Sequence, residues 1–480
     1  MHRNSKNVSL KQERIATLAK QSPDMGFTSL MHHLDTEWLC EAYWQTRKDG
    51  APGVDGETWT SYGEELRGNL EKLIERLKTN SYRAPAVRRK HIPKSGSPGE
   101  TRALGIPTLE DKVLQRAVVM LLEPIYEQDF CDSSFGFRKG RSAHQALQLL
   151  WQATSSVGGG WVVELDIRKF FDEIDHACLM TFLKHRLRDS AVLRLIGKWL
   201  NAGVMENGCI SYPEVGSPAG GVISPLLANI YLHYVLDSWF TVDVRPRMQG
   251  KTGFIRFADD AVFSFSDETD ARRVLRTLPK RFARYGLRLH PEKTKLVDFR
   301  RPRGRKYSGD AGTKEIKVFD FLGFTHYWGK SVKGKWIIKR KTAKNRLARA
   351  IKAVHAWCKD NRHQPILDQQ KALNLKVQGH CGYYGITGNG PSLSSYRYWL
   401  LRHWRSSLSR RNREGSLTWS KFRKLLERYP IKPVKVTPFS TFNCRTQAFQ
   451  VFLDFAKNSK YTRKGYVHGR LYHHRILFDR

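Results

Sequence analysis

Apolar and polar positions change period several times along the chain. Leu66, Leu70, Leu73, Ile74 and Leu77 recur at helical spacing with charges between them, which predicts an amphipathic helix against a core. The same period returns at Val113, Leu114, Ala117, Val118, Leu121 and Leu122 within residues 110–125, and again through Ile223, Leu226, Leu227, Ile230, Tyr231 and Tyr234. A further helix through Val274, Leu275, Leu278, Phe282 and Tyr285 is stopped by Gly286. Other stretches are β-rich. Residues 161–167 read as a strand ending in Asp166, residues 253–265 as strand, tight turn and strand with Asp259 and Asp260 at the tip, and residues 82–107 as a hairpin studded with cations. Leu287 begins a strand running toward Lys295, and residues 319–324 make one more strand and turn. From about Lys333 the pattern is helical. Leu347, Ile351, Val354 and Cys358 form a stripe opposite Lys344, Arg346, Arg349 and Lys352, with Thr342 as N-cap, and a three-helix module to about Pro430 fits. Residues 1–45 read as polar helical segments and residues 48–56 as a loop. The expected fold is α+β, in which an antiparallel sheet with helices on one face gathers Asp166, Asp259 and Asp260 at one edge.

Composition adds a partner to this picture. The 480 residues are 40% hydrophobic and 11% aromatic, enough for several packed units. Their formal net charge of +38 opposes compactness unless a polyanion is bound, which points to nucleic acid or an anionic surface. The excess is concentrated: residues 331–430 carry 23 Lys and Arg against 4 Asp and Glu, and residues 431–480 carry 10 against 2. A more balanced body thus bears a basic appendage. The expected division is an N-terminal extension (1–60), a catalytic body (61–330), a helical basic unit (331–430) and a basic aromatic tail (431–480) that could bind DNA. The 7 cysteines are scattered without a CxxC pair, which fits a reducing compartment and supports neither a zinc knuckle nor a disulfide framework. No apolar run approaches membrane-spanning length, and the N-terminus lacks the apolar core of a secretion signal. The expectation is no membrane partner and a bacterial cytoplasmic or nucleoid location rather than an organelle.

The candidate chemistry lies in the acids. Asp259 and Asp260 are either a solvated turn or, since adjacent carboxylates repel unless a cation intervenes, part of a Mg²⁺ site. With Asp166 they could hold two Mg²⁺ ions, with Mn²⁺ as a substitute, one activating a primer 3′-hydroxyl and one stabilising a pyrophosphate leaving group. Lys94 and Arg102, on opposite arms of the cationic hairpin, either clamp a triphosphate or stay solvated.

At this point the chain resembles the group II intron reverse transcriptases/maturases, in ordered motifs over roughly residues 40–430. KDGAPGVDG (48–56) resembles the family's N-terminal motif; HIPKSGSPGETRALGIPT (91–108) and FGFRKGRSAHQAL (135–147) its first blocks; LDIRKFFDEIDH (165–176) its first catalytic block. GSPAGGVISPLLANIYL (216–232), FADD (257–260), GLRLHPEKT (286–294) and FDFLGF (319–324) follow, and GYYG (382–385) and LTW (417–419) resemble the maturase or thumb region. The resemblance implies a right-hand polymerase with fingers, palm and a helical thumb/maturase domain. It implies an RNA-directed DNA polymerase that binds structured intron RNA, assists splicing, and copies an RNA template from a DNA primer with dNTPs for insertion into target DNA. Asp166, Asp259 and Asp260 would be the metal ligands, joined by the backbone of Ile167, with Lys94 and Arg102 on the triphosphate. Phe171 would be the gate that excludes a 2′-hydroxyl, or else a core Phe beside Phe170. Gly220 would allow close backbone approach at the nucleotide, and Lys293 would reach nucleotide or primer, or be structural. The sequence departs from the family at Ala219, where a nucleotide-contacting Gln is usual, and at Phe257, where Tyr is usual. The tail lacks the paired cysteines of an HNH endonuclease, and His468, His473 and His474 read as basic surface rather than metal ligands. Two other functions fit the same residues: a stand-alone reverse transcriptase recruited for defence or repair, and a non-catalytic RNA-binding splicing factor.

Overall fold

The computed structural model describes residues 2–93, 99, 101–206, 209–212, 220–302, 317–411 and 417–437. Helices α1 (His2–Gln21), α2 (Thr36–Gln45), α3 (Trp59–Glu64) and α4 (Leu66–Lys78) open the chain. Strands β1 (Val87–Pro93) and β2 (Thr101–Ile106) form the cationic hairpin, paired antiparallel from Arg88↔Ile106 to Pro93↔Thr101. Helices α5 (Leu109–Asp129) and α6 (Ala143–Ser156) follow, each started by a hydroxyl cap: Thr108 for α5, and Ser142 in a reciprocal capping box with Gln145 for α6. Then come β3 (Trp161–Leu165), α7 (His176–Lys184), α8 (Ser190–Leu200), and the short strands β4 (Val204–Glu206) and β5 (Cys209–Ser211). Helix α9 (Ser224–Leu232) runs on through π-helical turns at His233–Asp237 and Trp239–Val244. The remainder is β6 (Thr252–Phe257), β7 (Asp260–Phe265), α10 (Glu268–Ala283), β8 (Lys295–Asp298), β9 (Phe319–Phe321), β10 (Phe324–Lys330), β11 (Trp336–Thr342), and helices α11 (Lys344–Asp360), α12 (Ile366–Tyr384), α13 (Gly390–Ser409) and α14 (Trp419–Arg428). The class is α+β.

Among the described residues three sheets form: β2-β1-β4-β5, β6-β7-β3-β8 and β11-β10-β9. The second is antiparallel throughout and carries the acids. Its strands β3, β6 and β7 are buried on both faces over most of their length, and alternate side chains go to different cores. Trp161, Val163, Leu165, Phe254, Ala261, Phe263 and Phe265 join the large core with α5, α9 and α10. Val162, Ile255 and Val262 join a second core with α6 and the third sheet. Helices therefore cover both faces rather than the one expected: residues 143–156 supply a second amphipathic helix for the opposite face.

Three other expectations are corrected. The stretch from Leu287 to Lys295 is not one strand: Leu289 makes a single bridge to Ile167, a turn follows, and β8 begins only at Lys295. Thr342 is not an N-cap. It ends β11, its backbone N–H bonds to Asn389, and α11 starts after Ala343 without a side-chain cap. The basic unit has a further short helix, α14, beyond the three expected, and the β10–β11 hairpin crosses residue 331, so the helical part begins at Lys344.

Candidate active site

The acids meet because of strand register. In the second sheet Glu164 pairs with Val262 and Leu165 with Ala261, so one further step along the ladder sets Asp166 across from Asp260. Alternation places Glu164, Asp166, Val262 and Asp260 on the same face. Phe257 pairs with Asp260, which leaves Ala258 and Asp259 as the two residues of the hairpin turn. Ala258 takes the left-handed conformation that the turn requires, with φ of 56°. The expected hairpin therefore exists, with Asp259 on the turn and Asp260 opening β7.

Asp166 and Asp260 line a cleft of about 890 Å³, shared with Glu164, Lys293, Arg346 and Tyr383; Asp259, on the turn, does not line it. Asp260 is open to water yet walled by protein on most sides. That enclosure, with the neighbouring Asp259 and Asp166 carboxylates, pushes its carboxyl up to about 7, against the opposing pull of Arg346 and Lys293. Burial likewise raises Glu164 to about 7, opposed by Lys295. The Lys293 ammonium is 2.8 Å from Asp166 Oδ2. The turn after His290 puts it there: the Asp166 carbonyl accepts from the His290 N–H at 2.8 Å and from the Thr294 hydroxyl at 3.3 Å. Ile167 pairs with Leu289 in a bridge whose hydrogen bonds belong to the flanking residues, Arg168 N–H to Arg288 and His290 N–H to Asp166. In a pairing of that kind the paired residue's own N–H and carbonyl face away from the partner strand. Among the described residues no three His, Cys, Asp or Glu side chains form a ready-made metal cage.

The remaining sequence-predicted residues fall as follows. Phe170 is buried, and Phe171 is half-buried with its ring edge-on to Phe170 at 5.3 Å. Gly220, with φ of 119°, passes so close to β2 that a Cβ would lie 2.4 Å from the Gly105 carbonyl. This packing against the cationic hairpin is a separate constraint from the approach to a nucleotide expected at Gly220. Lys94 and Ala219, and the side chain of Arg102, lie outside the described residues. Asp175 caps α7 through the Cys178 N–H at 2.7 Å, as a helix cap rather than a member of the acidic group. Glu164 and Arg346 were missed. The Glu-x-Asp alternation on β3 could have revealed Glu164; Arg346 comes from the start of α11, and only the packed chain brings it to Asp260. The Tyr-Tyr motif also reaches the cleft: the Tyr383 hydroxyl donates to the Leu322 carbonyl at 2.9 Å, in the turn of the Phe-Leu-Gly-Phe motif.

Residues 92–326 match the family described as "Reverse transcriptase (RNA-dependent DNA polymerase)". Protein YkfC of Escherichia coli (strain K12) is 36% identical over 287 residues, 53% of this chain and 75% of that protein. The group II intron-encoded protein LtrA of Lactococcus lactis subsp. cremoris is 38% identical over 225 residues, 46% of this chain and 37% of LtrA. Nuclear intron maturase 2, mitochondrial, of Arabidopsis thaliana is 34% identical over 259 residues, 44% of this chain and 33% of the maturase. The aligned region is thus little more than a third of LtrA and a third of the maturase. The matched residues include both strands that carry the acids, and with that order of motifs the chain belongs to the group II intron reverse transcriptase/maturase family.

Proposed function

We propose that this chain is an RNA-directed DNA polymerase that binds its group II intron RNA, assists splicing, and copies RNA into cDNA for intron mobility. The observation that carries the reading is the register setting Asp166 opposite Asp260 with Asp259 on the adjoining turn, where the Asp259 and Asp166 carboxylates raise the proton affinity of Asp260. Asp166, Asp259, Asp260 and the Ile167 carbonyl are hard oxygen donors, and their mutual repulsion is what a divalent cation relieves. They would hold two Mg²⁺ ions, with substrate phosphates and water completing the coordination. When bound, such ions activate a primer 3′-hydroxyl and stabilise the pyrophosphate leaving group. The chain's own residues bind and orient. Lys293 holds Asp166 in place and presents positive charge to an incoming phosphate. Phe171, against the buried Phe170, would stack under the sugar and favour dNTP over NTP. The hairpin arms of β1 and β2 would act as fingers, with Lys94 and Arg102 on the triphosphate and Gly220 and Ala219 at the incoming nucleotide. The second sheet would act as palm. The helices from α11 onward would act as thumb and maturase surface for intron RNA and the template–primer duplex, with target DNA engaged at insertion. Cytoplasmic work in a bacterial cell fits these partners.

Primer extension on an RNA template with Mg²⁺ and dNTPs tests the reading. The wild-type chain extends the primer, whereas Asp259→Ala lowers the rate by roughly a thousandfold while RNA binding persists. Appreciable extension by Asp259→Ala removes the metal assignment. RNA binding without any extension by the wild-type chain leaves the splicing-factor function instead.

A further inference from the structure

Arg256 lies on β6 just before the acidic turn, and it is fully buried, as is Asp237. Its Nε donates to Asp237 Oδ1 at 2.7 Å and its Nη2 to Asp237 Oδ2 at 2.5 Å. Its Nη1 donates to Asn229 Oδ1 and to the Ala258 carbonyl, each at 2.9 Å. Every nitrogen of the fork is engaged, an arrangement that Lys, a point charge on a flexible stem, cannot reproduce. The π-helical turn at His233–Asp237 carries Asp237 and follows directly on the helix that carries Asn229.

Stability alone gives no reason for this pair. Burying two charges costs several kcal/mol per ion, and a well-packed apolar pair of similar volume is often as stable or more so. The same face of β6 carries Phe254, which packs against Phe240 and Phe263, so apolar side chains would suit these surroundings. What the fork supplies beyond an apolar side chain is a grip on the Ala258 carbonyl. That carbonyl belongs to the peptide joining Ala258 to Asp259. Ala258 is held at φ of 56°, a left-handed conformation that is strained for an L-residue. A second grip comes from the segment beside it. The Arg256 backbone N–H donates to Ser133 at 2.8 Å, and its carbonyl accepts from Phe135 at 2.9 Å. The following Gly136 lies so close that a Cβ there would be 2.2 Å from the Ala258 nitrogen. Asn229 ties the grips together, accepting from Arg256 and donating from Nδ2 to the Gly136 carbonyl at 2.7 Å.

We propose that Arg256, with Asp237 and Asn229, is the positioning device of the catalytic turn: the buried fork fixes the Ala258–Asp259 peptide and thereby where the Asp259 carboxylate stands. This rests on the polymerase reading above and names residues on which that site's geometry depends. Arg256, Asp237 and Asn229 are all buried away from the cleft surface. The network acts through Asp259.

The test compares Arg256→Met/Asp237→Leu, which replaces the ion pair by apolar residues of similar size, with Arg256→Lys, which keeps the charge and loses the fork. Folding is followed by circular dichroism and melting, turnover by single-nucleotide primer extension, and the site itself by Mn²⁺ binding to the enzyme–template–primer complex in electron paramagnetic resonance. The expected result for the apolar pair is a folded protein with a cooperative melt, because removing the buried charges offsets the donor lost to Asn229 Oδ1 and the Ala258 carbonyl. With it should come a fall in kcat of about 100-fold, a dNTP KM within about threefold, and Mn²⁺ affinity weakened about tenfold. Arg256→Lys should show the same losses, and it decides the matter if the apolar pair does not fold. Wild-type turnover and wild-type Mn²⁺ affinity in a folded variant of either kind overturns the proposal, because a purely structural network is satisfied once the fold is restored. Failure of the polymerase reading is distinguishable: there the wild-type chain itself does not extend, or Asp259→Ala binds Mn²⁺ as the wild type does.

Discussion

Asp111 shows how a single side chain writes pH into the fold. It sits on α5, fully enclosed, and accepts a hydrogen bond from the Tyr82 hydroxyl, which in turn accepts from Trp199 Nε1 at 3.0 Å. Burial pushes its carboxyl up to about 7, partly offset by the Tyr82 bond. Between the ordinary carboxylate range near 4 and about 7 the folded chain keeps this proton while the unfolded chain releases it. The folded state then binds more protons, so this group's contribution to stability is greatest at low pH and is lost as pH rises toward 7, at up to about 1.4 kcal/mol per pH unit. Asp111→Asn keeps an acceptor for Tyr82 and removes the ionisation. In urea unfolding the wild type should lose more stability than Asp111→Asn between pH 5 and pH 8, by roughly 2–3 kcal/mol. Equal losses in the two proteins would sink the assignment. At this scale the sequence was only half legible. Asp166, Asp259 and Asp260 stand out because acids are rare in β-rich, apolar runs. Asp111 and Arg256 look like ordinary polar members of a helix and a strand, because the partners that bury them lie elsewhere in the chain.

At the scale of elements, Asn389 joins the third sheet to the helical unit. It is fully buried before α13. Its Oδ1 accepts from the Thr342 N–H at 2.8 Å, and its Nδ2 donates to the Thr342 hydroxyl and the Tyr384 carbonyl, each at 2.8 Å. The end of β11, the end of α12 and the start of α13 are thus fastened by one amide. Asn389→Ala strands several buried polar groups, and the expected cost is about 2–4 kcal/mol, read as a lower urea midpoint. A loss below 1 kcal/mol for the alanine variant would show that water or rearrangement satisfies these groups. The joint also explains what was readable among the elements. Strands β3, β6 and β7 and helices α5 and α10 were legible because their apolar period is uninterrupted and their caps are local. Thr342 was misread because a Thr ahead of a helical stripe looks the same whether it caps a helix or ends a strand, and the deciding contact comes from Asn389, beyond two intervening helices. The covering of the second sheet on both faces was hidden for a related reason. A strand buried on both sides carries no polar face to say where its helices lie.

Across the whole molecule, the acidic cleft is set in a strongly basic chain, with a net charge of +38. Such a field draws a polyanion toward the body, while the local carboxylates keep its phosphates apart unless cations mediate. If the helical unit grips RNA through phosphates, affinity must fall steeply with salt. Contacts to six to ten phosphates lose about 10³–10⁵ in affinity between 50 and 200 mM salt. Lys352 and Lys359 are exposed on α11, two turns apart along the same helix, and available to such a grip. Replacing both by Gln should reduce the slope of log affinity against log salt by about 1–2, while primer extension at saturating RNA keeps its rate. The measurement is a binding isotherm for structured RNA at a series of salt concentrations, in wild type and variant. A shallow, salt-insensitive isotherm in the wild type would mean that the basic surface serves another purpose. An unchanged slope in the variant would move the phosphate track from α11 to another part of the basic surface.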